Sequence, residues 1–460
     1  MPGNDAMIAD LLRSLFDRLE QEGVQYCVLR DYEGLPQRFR NDVDFLTRPQ
    51  DCQRFHDILV EVAAAHGWRL VKHVRKFGLW FHYFYPIKDW GEGRFILHVD
   101  LFSTVAWWGI TYLSADEILQ HRVRHGPFFV PSPNHEAATL LLKDFLHVGC
   151  FRNRYRGRIQ WLIQPDPDIL RACLRTVVGR ELCDFMVDRI RLGQWDDIKR
   201  QRRAIQRALA WRSFKRAPLA QMRDFFLFLW ERQRQYLAAP KGAFVVVVGP
   251  DGSGKTTVIR EVMVLLDKLF TRTQRLAFNF HLLPYIDDVR KWLRGRQRKS
   301  FGREEISGGP VLTPYPTYRV IASLAYHTIG YLLGYLYLSI VRRLGYLVMM
   351  ERYVYDYFIQ PRYQRAPKWL LKIVQAIVPQ PDALIYLHGD PQLIHDRKPE
   401  LPIAEIERQI KILRDLVLRF PNGHIVEIDA PVSLVARRVA HVICRTMESR
   451  RESTACDARV

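Results

Sequence analysis

The spacing of apolar residues changes twice along the chain. Up to about residue 165, helical periodicity over 8–20 and 52–65 is mixed with strand-like runs at 24–29, 43–46, 68–73, 79–85 and 95–102. Between 166 and 238 the periodicity is almost entirely helical and the segment is basic. From Ala243 onward strands and helices alternate, which is typical of a parallel sheet covered by helices on both faces. The pattern predicts an α+β domain at 1–165, a basic helical connector at 166–238, an α/β domain at 239–449 and a disordered tail at 450–460.

A glycine-rich segment follows the apolar, β-branched run Phe244–Val248, which predicts a strand buried on both faces. Residues 249–257 read GPDGSGKTT and are followed at once by an apolar periodic helix. This is the pattern G-x-x-x-x-G-K-[ST] between a strand and a helix, where backbone N–H groups and the helix N-terminus bind phosphate. The motif predicts ATP and Mg²⁺ as cofactors, with Lys255 at the β- and γ-phosphates and Thr256 on the metal. The predicted nucleotide-binding residues are Gly249, Asp251, Gly252, Ser253, Gly254, Lys255, Thr256 and Thr257.

Two further features surround this loop. An aspartate, Asp251, stands two residues after the first glycine, and the strand-like run 346–350 ends in Glu351-Arg352-Tyr353. These features resemble the thymidylate kinase family over roughly residues 243–450, and are most similar to a branch often associated with cell-surface polysaccharide genes. The resemblance implies a P-loop fold of the nucleoside monophosphate kinase type. It also implies transfer of the γ-phosphate of ATP to a nucleotide or to another small phosphorylated or hydroxylated acceptor.

The resemblance also implies roles for individual residues. Glu351 stands where the family has aspartate and would contact the metal or the acceptor, while Arg352 would hold an acceptor phosphate. Asp251 would orient an acceptor hydroxyl, and Arg397, with Lys398 beside it, would close on the transferring phosphate from a mobile lid. The candidate catalytic residues are thus Lys255, Asp251, Glu351, Arg352 and Arg397. Residues 278–284 lack the arginine and glycine that thymidylate kinases carry there, so an acceptor other than thymidine monophosphate stays open.

The first domain contains a separate set of acidic residues. Asp42 and Asp44 are two apart on one predicted strand, which places both carboxylates on one face, and Asp100 lies on a later apolar strand. Converging carboxylates can hold two Mg²⁺ ions for nucleotidyl transfer. The order of elements over residues 5–110 resembles the nucleotidyltransferase superfamily. Residues 29–35 offer only one glycine to grip a nucleotide, so a fold without this activity, or acids that only shape a turn, remain alternatives.

Composition narrows the class of protein and its partners. With 460 residues, 48% hydrophobic and 26% charged, the chain is typical of globular proteins, which excludes disorder and a polytopic membrane protein. A formal net charge of +20 favours anionic partners: nucleotides, phosphorylated substrates, acidic lipid or nucleic acid. Basic tracts at 199–216 and 290–303 come without a zinc-finger, helix-turn-helix or RNA-binding signature, so nucleic acid is not the expected partner.

The localisation is expected to be cytoplasmic. The seven cysteines are scattered without metal-binding spacing, and the N-terminal segment lacks the pattern of a signal peptide. The stretch 320–341 contains no Asp, Glu, Lys or Arg and is long enough to span a bilayer, but its polar residues favour a buried or interface helix. Peripheral membrane contact through it stays open, as does the oligomeric state, a homodimer included.

Three hypotheses of function result. The first is an ATP-dependent kinase of thymidylate kinase type. The second is a nucleotidyltransferase that uses Asp42, Asp44 and Asp100, with a regulatory P-loop domain. The third is an ATP-binding switch module without catalysis.

Overall fold

The computed structural model describes residues 4–38, 42–88, 93–147, 149–237, 242–277, 280 and 314–457. The chain divides into two compact units, Met1–Leu237 and Ala238–Val460. Each unit has its own central sheet of five strands.

The sheet of the first unit is mixed. Its strand order is β1-β2-β5-β4-β3, in which β2 and β5 are parallel and the other neighbours are antiparallel. Two small ribbons, β6–β7 and β8–β9, follow it. The strands are β1 (Tyr26–Val28), β2 (Val43–Thr47), β3 (Trp68–Lys76), β4 (Leu79–Pro86), β5 (Leu97–Phe102), β6 (Val105–Trp107), β7 (Ile110–Leu113), β8 (Val123–His125) and β9 (Phe128–Val130).

The first unit contains ten described helices. They are α1 (Asn4–Gln21), α2 (Cys52–Ala65), α3 (Ala115–Gln120), α4 (Pro133–His147), α5 (Asn153–Ile163), α6 (Pro167–Val178), α7 (Arg180–Arg191), α8 (Trp195–Arg200), α9 (Arg202–Arg216) and α10 (Pro218–Leu237). Helices α1 and α2 bury their apolar faces against the sheet, where Phe16 of α1 and Phe55 of α2 share a core with Trp68 of β3. A second core joins sheet residues such as Leu46 and Phe102 to residues of helices α4–α9, so helices α6–α9, expected as a connector, share a core with α4 and α5.

The sheet of the second unit is entirely parallel, as the alternation of strands and helices predicts. Its strand order is β11-β12-β10-β13-β14. Every residue of β10 is buried, because helices cover both faces of this central strand. The strands are β10 (Ala243–Val248), β11 (Arg272–Ala277), β12 (Tyr346–Glu351), β13 (Ala383–His388) and β14 (Gly423–Glu427).

The helices of the second unit include a long apolar one. They are α11 (Lys255–Leu265), α12 (Thr317–Arg343), α13 (Asp356–Ile359), α14 (Lys368–Ile377), α15 (Pro391–Arg397), α16 (Ile403–Val417) and α17 (Val432–Asp457). A short 3₁₀ turn lies at Pro361–Tyr363 in this unit, and another lies at Pro49–Asp51 in the first unit. Of the described helices, α12 alone has the length and composition to cross a membrane. A single such helix is weak evidence, and one face of α12 packs Leu324, Tyr331 and Leu338 into the core.

The C-terminal segment differs from what the sequence predicts, and two other segments are not described. Helix α17 continues to Asp457, so residues 450–457, expected to be disordered, are helical. The basic run 290–303 and most of the segment 278–284 lie outside the described residues.

We expect Trp68→Ala to lower the free energy of unfolding of the first unit by about 3–5 kcal/mol, because the indole is fully buried and its loss leaves a cavity. Urea unfolding followed by far-UV circular dichroism measures the change. The matched control is Trp161→Ala, since 60% of that side chain is exposed, and it should cost no more than about 1 kcal/mol. Equal losses in both variants would contradict the described core.

Candidate functional site

The glycine-rich loop lies between the end of β10 and the start of α11, at the carboxyl edge of the parallel sheet. Gly252 and Gly254 have φ of +95° and +80°, a region that favours glycine. A Cβ at Gly249 would lie 2.5 Å from Ser253 Oγ, and one at Gly252 would lie 2.6 Å from the carbonyl oxygen of Ile394. The loop is therefore a narrow concavity of backbone that side chains at these glycines would fill.

Lys255 folds back into this loop. Its Nζ donates hydrogen bonds of 2.8 Å to the carbonyl oxygens of Gly249 and Pro250, and lies 3.4 Å from Asp251 Oδ1. Burial lowers the pKa of Lys255, and the carboxylate of Asp251 acts in the opposite direction. Ser253 Oγ is buried and has no hydrogen-bond partner among the described residues. The loop thus gathers a cation and a hydroxyl around a backbone cradle, which suits a phosphate chain.

Pairing between β10 and β12 brings the two predicted metal ligands of this unit together. Val247 is opposite Glu351 in the parallel register, so Glu351 ends its strand beside the loop. Thr256 Oγ1 donates a hydrogen bond of 3.0 Å to Glu351 Oε2. Arg275 on β11 lies 3.5 Å from the other carboxylate oxygen of Glu351. A hydroxyl and a carboxylate at hydrogen-bonding distance are a ligand pair suited to Mg²⁺.

Arg352, the residue after Glu351, also contacts the glycine-rich loop. Its φ is +54°, an uncommon conformation for a residue with a side chain, and its guanidinium donates to Asp251 Oδ1. Asp251 therefore bridges Arg352 and Lys255. Burial acts to raise the pKa of Asp251, but the charges of Lys255 and Arg352 outweigh it and hold that pKa below its usual range.

Asp356 is a buried carboxyl close to the same charges. It begins the short helix α13, only 3% of it is exposed, and Gln360 Nε2 donates a hydrogen bond of 3.0 Å to its Oδ2. Burial raises the pKa of Asp356 from 3.8 to about 6, against the opposing charges of Arg352 and Lys255. The site thus contains one carboxyl that changes its protonation state near neutral pH.

The predicted lid residues lie on and just after α15. Lys398 is close to the loop, since its Cβ would lie 3.2 Å from a Cβ at Gly252, and its charge helps to lower the pKa of Asp251. Lys398 Nζ also forms an ion pair of 3.1 Å with Glu400. Arg397 is exposed at the end of the helix, and Thr257 is exposed in the first turn of α11. Of the two predicted lid residues, the geometry therefore favours Lys398 over Arg397 as the cation that lies next to the loop.

The acidic residues of the first unit also come together. Asp44 on β2 is opposite Asp100 on β5 in the parallel pair, and oxygen atoms of Asp42, Asp44 and Asp100 all lie within 4.8 Å of one another. Two cations contact them. Arg30 donates to Asp44 Oδ2 and lies 3.9 Å from Asp42, and Lys143 Nζ lies 3.6 Å from Asp44 Oδ1.

The charges in this cluster partly cancel. Burial acts to raise the pKa of Asp44, but Lys143 and Arg30 reverse this and lower it, while burial raises the pKa of Asp100. His98 Nε2 lies 2.8 Å from Asp100 Oδ1. A metal ion that bound the three carboxylates would compete with the ion pairs that Arg30 and Lys143 already make.

Sequence reasoning missed four charged or ionisable neighbours of these sites: Arg275, Arg30, Lys143 and His98. Arg275, Lys143 and His98 lie on elements whose apolar pattern is ordinary, and Arg30 lies in the loop after β1, so only strand pairing and helix packing bring them to an acid. The one usable signal is that Arg30 follows β1 by two residues, before the strand that carries Asp44.

Comparison with known proteins adds little. No protein-family model matches this chain, and no curated protein matches it. The solved structure of thymidylate kinase from Ehrlichia chaffeensis is similar with a TM-score of 0.29 and 15% identity, covering 44% of this chain and 100% of that chain. A TM-score this low carries no argument, so the interpretation of the site depends on its own geometry.

We expect Gly252→Ala to destabilise the second unit more than Gly254→Ala. Both positions have positive φ, which costs a residue with a side chain about 1–2 kcal/mol. Only at Gly252 would the new Cβ also meet backbone, at 2.6 Å, whereas at Gly254 no atom lies within 4 Å. Urea unfolding of both variants measures the difference, and equal losses would contradict the close packing of the loop against α15.

We expect Asp356→Asn to stabilise the protein relative to wild type in a pH-dependent way. Because folding raises the pKa of this carboxyl from 3.8 to about 6, the folded state prefers the protonated form. Wild-type stability therefore falls as the pH rises through this window, by up to about 3 kcal/mol, whereas the variant has no such proton to lose. Urea unfolding across the window measures the difference, with Asp415→Asn as the exposed control in the same unit. A difference that does not change with pH would contradict the burial of Asp356.

Proposed function

We propose that the second unit is an ATP-dependent phosphotransferase that moves the γ-phosphate of ATP to a small acceptor, a thymidylate-like nucleotide or another phosphorylated or hydroxylated molecule. The observation that carries the proposal is the hydrogen bond between Thr256 and Glu351 beside the buried Lys255. Thr256 and Glu351, the proposed metal ligands, thus lie beside the proposed phosphate-binding loop at the carboxyl edge of the parallel sheet. In open α/β sheets, ligands bind in the crevice at this edge.

The residues present fit ATP and Mg²⁺. Backbone N–H groups of the loop, the Nζ of Lys255 and the buried hydroxyl of Ser253 would hold the phosphates, since glycine keeps that cradle open. Thr256 and Glu351 would hold the metal. When bound, Mg²⁺ neutralises charge on the phosphate oxygens.

The chain's own cations would support the transfer step. Phosphoryl transfer depends on positioning and on positive charge around the transferred group, which Lys255, Arg352 and Lys398 can supply. Asp251 bridges two of these cations and so holds them in place. Asp356, with a pKa of about 6, can accept the proton of a hydroxyl acceptor near neutral pH.

The proposal extends to the class of acceptor and to the pathway in which the reaction takes part. The surplus of 20 positive charges favours an anionic acceptor, such as a nucleotide or a sugar phosphate. A role in cell-surface polysaccharide metabolism and a cytoplasmic location come from the sequence alone and stay predictions.

A second candidate is nucleotidyl transfer in the first unit. The convergence of Asp42, Asp44 and Asp100 favours it, because such a group can bind two metal ions. The ion pairs of Asp44 with Arg30 and Lys143 weigh against it, since they oppose metal binding. We therefore rank it behind the kinase.

We expect Lys255→Ala to lower acceptor-dependent ADP release by about 10²–10³-fold or more, because it removes a charge that stabilises the transferring phosphate. Nucleoside monophosphates and sugar phosphates are screened as acceptors, and mass spectrometry identifies the phosphorylated product. Lys268→Ala, an exposed lysine of the same unit, is the matched control and should keep the wild-type rate. Glu351→Gln should raise the Mg²⁺ concentration needed for half-maximal rate, and circular dichroism checks that each variant folds.

Other outcomes separate the hypotheses. If the Asp44→Asn variant lost the nucleotide-dependent product while the Lys255→Ala variant still formed it, the activity would be nucleotidyl transfer in the first unit instead. Slow ATP turnover without any phosphorylated acceptor would indicate a switch module. Absence of Mg²⁺-dependent ATP binding by wild-type protein would refute the kinase proposal.

A further inference from the structure

Three histidines form a cluster in the first unit that none of the three hypotheses of function uses. His56 lies on α2, His73 on β3 and His82 on β4. The ligating nitrogen atoms of the three side chains all lie within 4.8 Å of one another. His56 and His73 are half-buried, and His82 is fully buried.

The fold brings these residues together from distant parts of the chain. His73 and His82 are directly opposite each other in the antiparallel pair β3–β4, so their side chains are neighbours on one face of the sheet. Helix α2 packs on that face and adds His56. A His56 Nδ1 to His82 Nε2 contact of 2.9 Å joins the helix to the hairpin.

The cluster lies on the other face of the sheet from the acidic residues. Along β4, side chains alternate between the two faces, so His82 and Phe81 point in opposite directions. Phe81 is opposite Asp100 in the β4–β5 pair and shares its face. The histidines are thus separated from Asp100 by the sheet, and they are a site of their own.

The three imidazole rings pack closely against one another, and ring nitrogen is the polar atom that each of them brings to the cluster. His73 stacks on His56 with ring centroids 4.4 Å apart and on His82 at 4.7 Å. Trp80 covers the group, with its ring 5.5 Å from that of His73, and the guanidinium of Arg75 lies over the outer part of Trp80 at 4.2 Å. His82 is fully buried beneath the other two rings.

Neutral imidazole is a common ligand of zinc and other divalent transition metals. Around a tetrahedral zinc ion with Zn–N distances of about 2.0–2.1 Å, ligand nitrogens are roughly 3.3 Å apart. The 2.9 Å contact of His56 with His82 is already close to that spacing. No pair of ligand atoms is more than 4.8 Å apart, so a shift of the side chains, together with rotation of the stacked rings that turns their in-plane lone pairs toward one point, brings the nitrogens to that spacing.

We propose that His56, His73 and His82 bind a divalent transition-metal ion, with Zn²⁺ as the representative, and that the ion cross-links helix α2 to the β3–β4 hairpin. The ion replaces the hydrogen bond between His56 and His82, and a water molecule completes its coordination, as in other sites with three protein ligands. Binding stabilises the first unit because the unfolded chain does not hold the three imidazoles together.

Zn²⁺ alone is the probe, added to full-length protein that has been treated with a chelator. Isothermal titration calorimetry should show one equivalent bound tightly, and the melting temperature should rise with Zn²⁺. His56→Ala and His73→Ala should each weaken binding by at least about 100-fold and abolish that rise. These two positions are chosen because they are half-buried, so their variants should fold, which circular dichroism checks.

His424→Ala is the matched control, because this half-exposed histidine lies on β14 in the other unit, and it should bind Zn²⁺ as wild type does. Substitution with Co²⁺ provides a second readout, since imidazole ligation in a tetrahedral site gives visible d–d absorption that either cluster variant should lose. Failure of wild-type protein to bind a stoichiometric equivalent would overturn the proposal. Equal binding by wild type and His56→Ala would overturn it as well, because the metal would then lie elsewhere.

Discussion

The parallel pairing of β10 with β12 is the constraint on which the candidate site of the second unit depends. It places Val247 opposite Glu351, so both strands end at the same level and the glycine-rich loop and Glu351 meet there. Without this register, Thr256 Oγ1 could not donate to Glu351, and Arg352 could not contact Asp251. The site is therefore a product of strand pairing more than of any single motif.

The first unit uses the same geometry with a different balance of charge. Parallel pairing of β2 with β5 places Asp44 opposite Asp100, and this arrangement would be costly without nearby cations because buried carboxylates repel one another. Arg30 and Lys143 offset much of that cost. In the second unit Lys255 and Arg352 do the same for Asp251, but there the acid belongs to a backbone loop that side chains at Gly249 and Gly252 would fill. This difference is why the kinase proposal ranks first.

Much of the architecture could be predicted from local pattern. Helix α2 begins and ends where its periodicity does, at Cys52 and Ala65, and the buried strand before the glycine-rich loop is where the β-branched run indicates. The all-parallel sheet of the second unit follows from the alternation of its elements. The tail was less predictable, since polar, charged residues after 450 continue a helix whose earlier turns are held by the core.

Local sequence is enough to place the glycine-rich loop, because its glycines, lysine and hydroxyl groups all lie within nine neighbouring residues and need only local geometry to converge. It also determined which strands carry acids. Which side chains meet depends on tertiary contacts: Arg275 with Glu351, Lys143 with Asp44, and His56 with His73 and His82. The physical reason is that these contacts join residues far apart in the chain, and their partners are selected by strand register and helix packing, which no local pattern records.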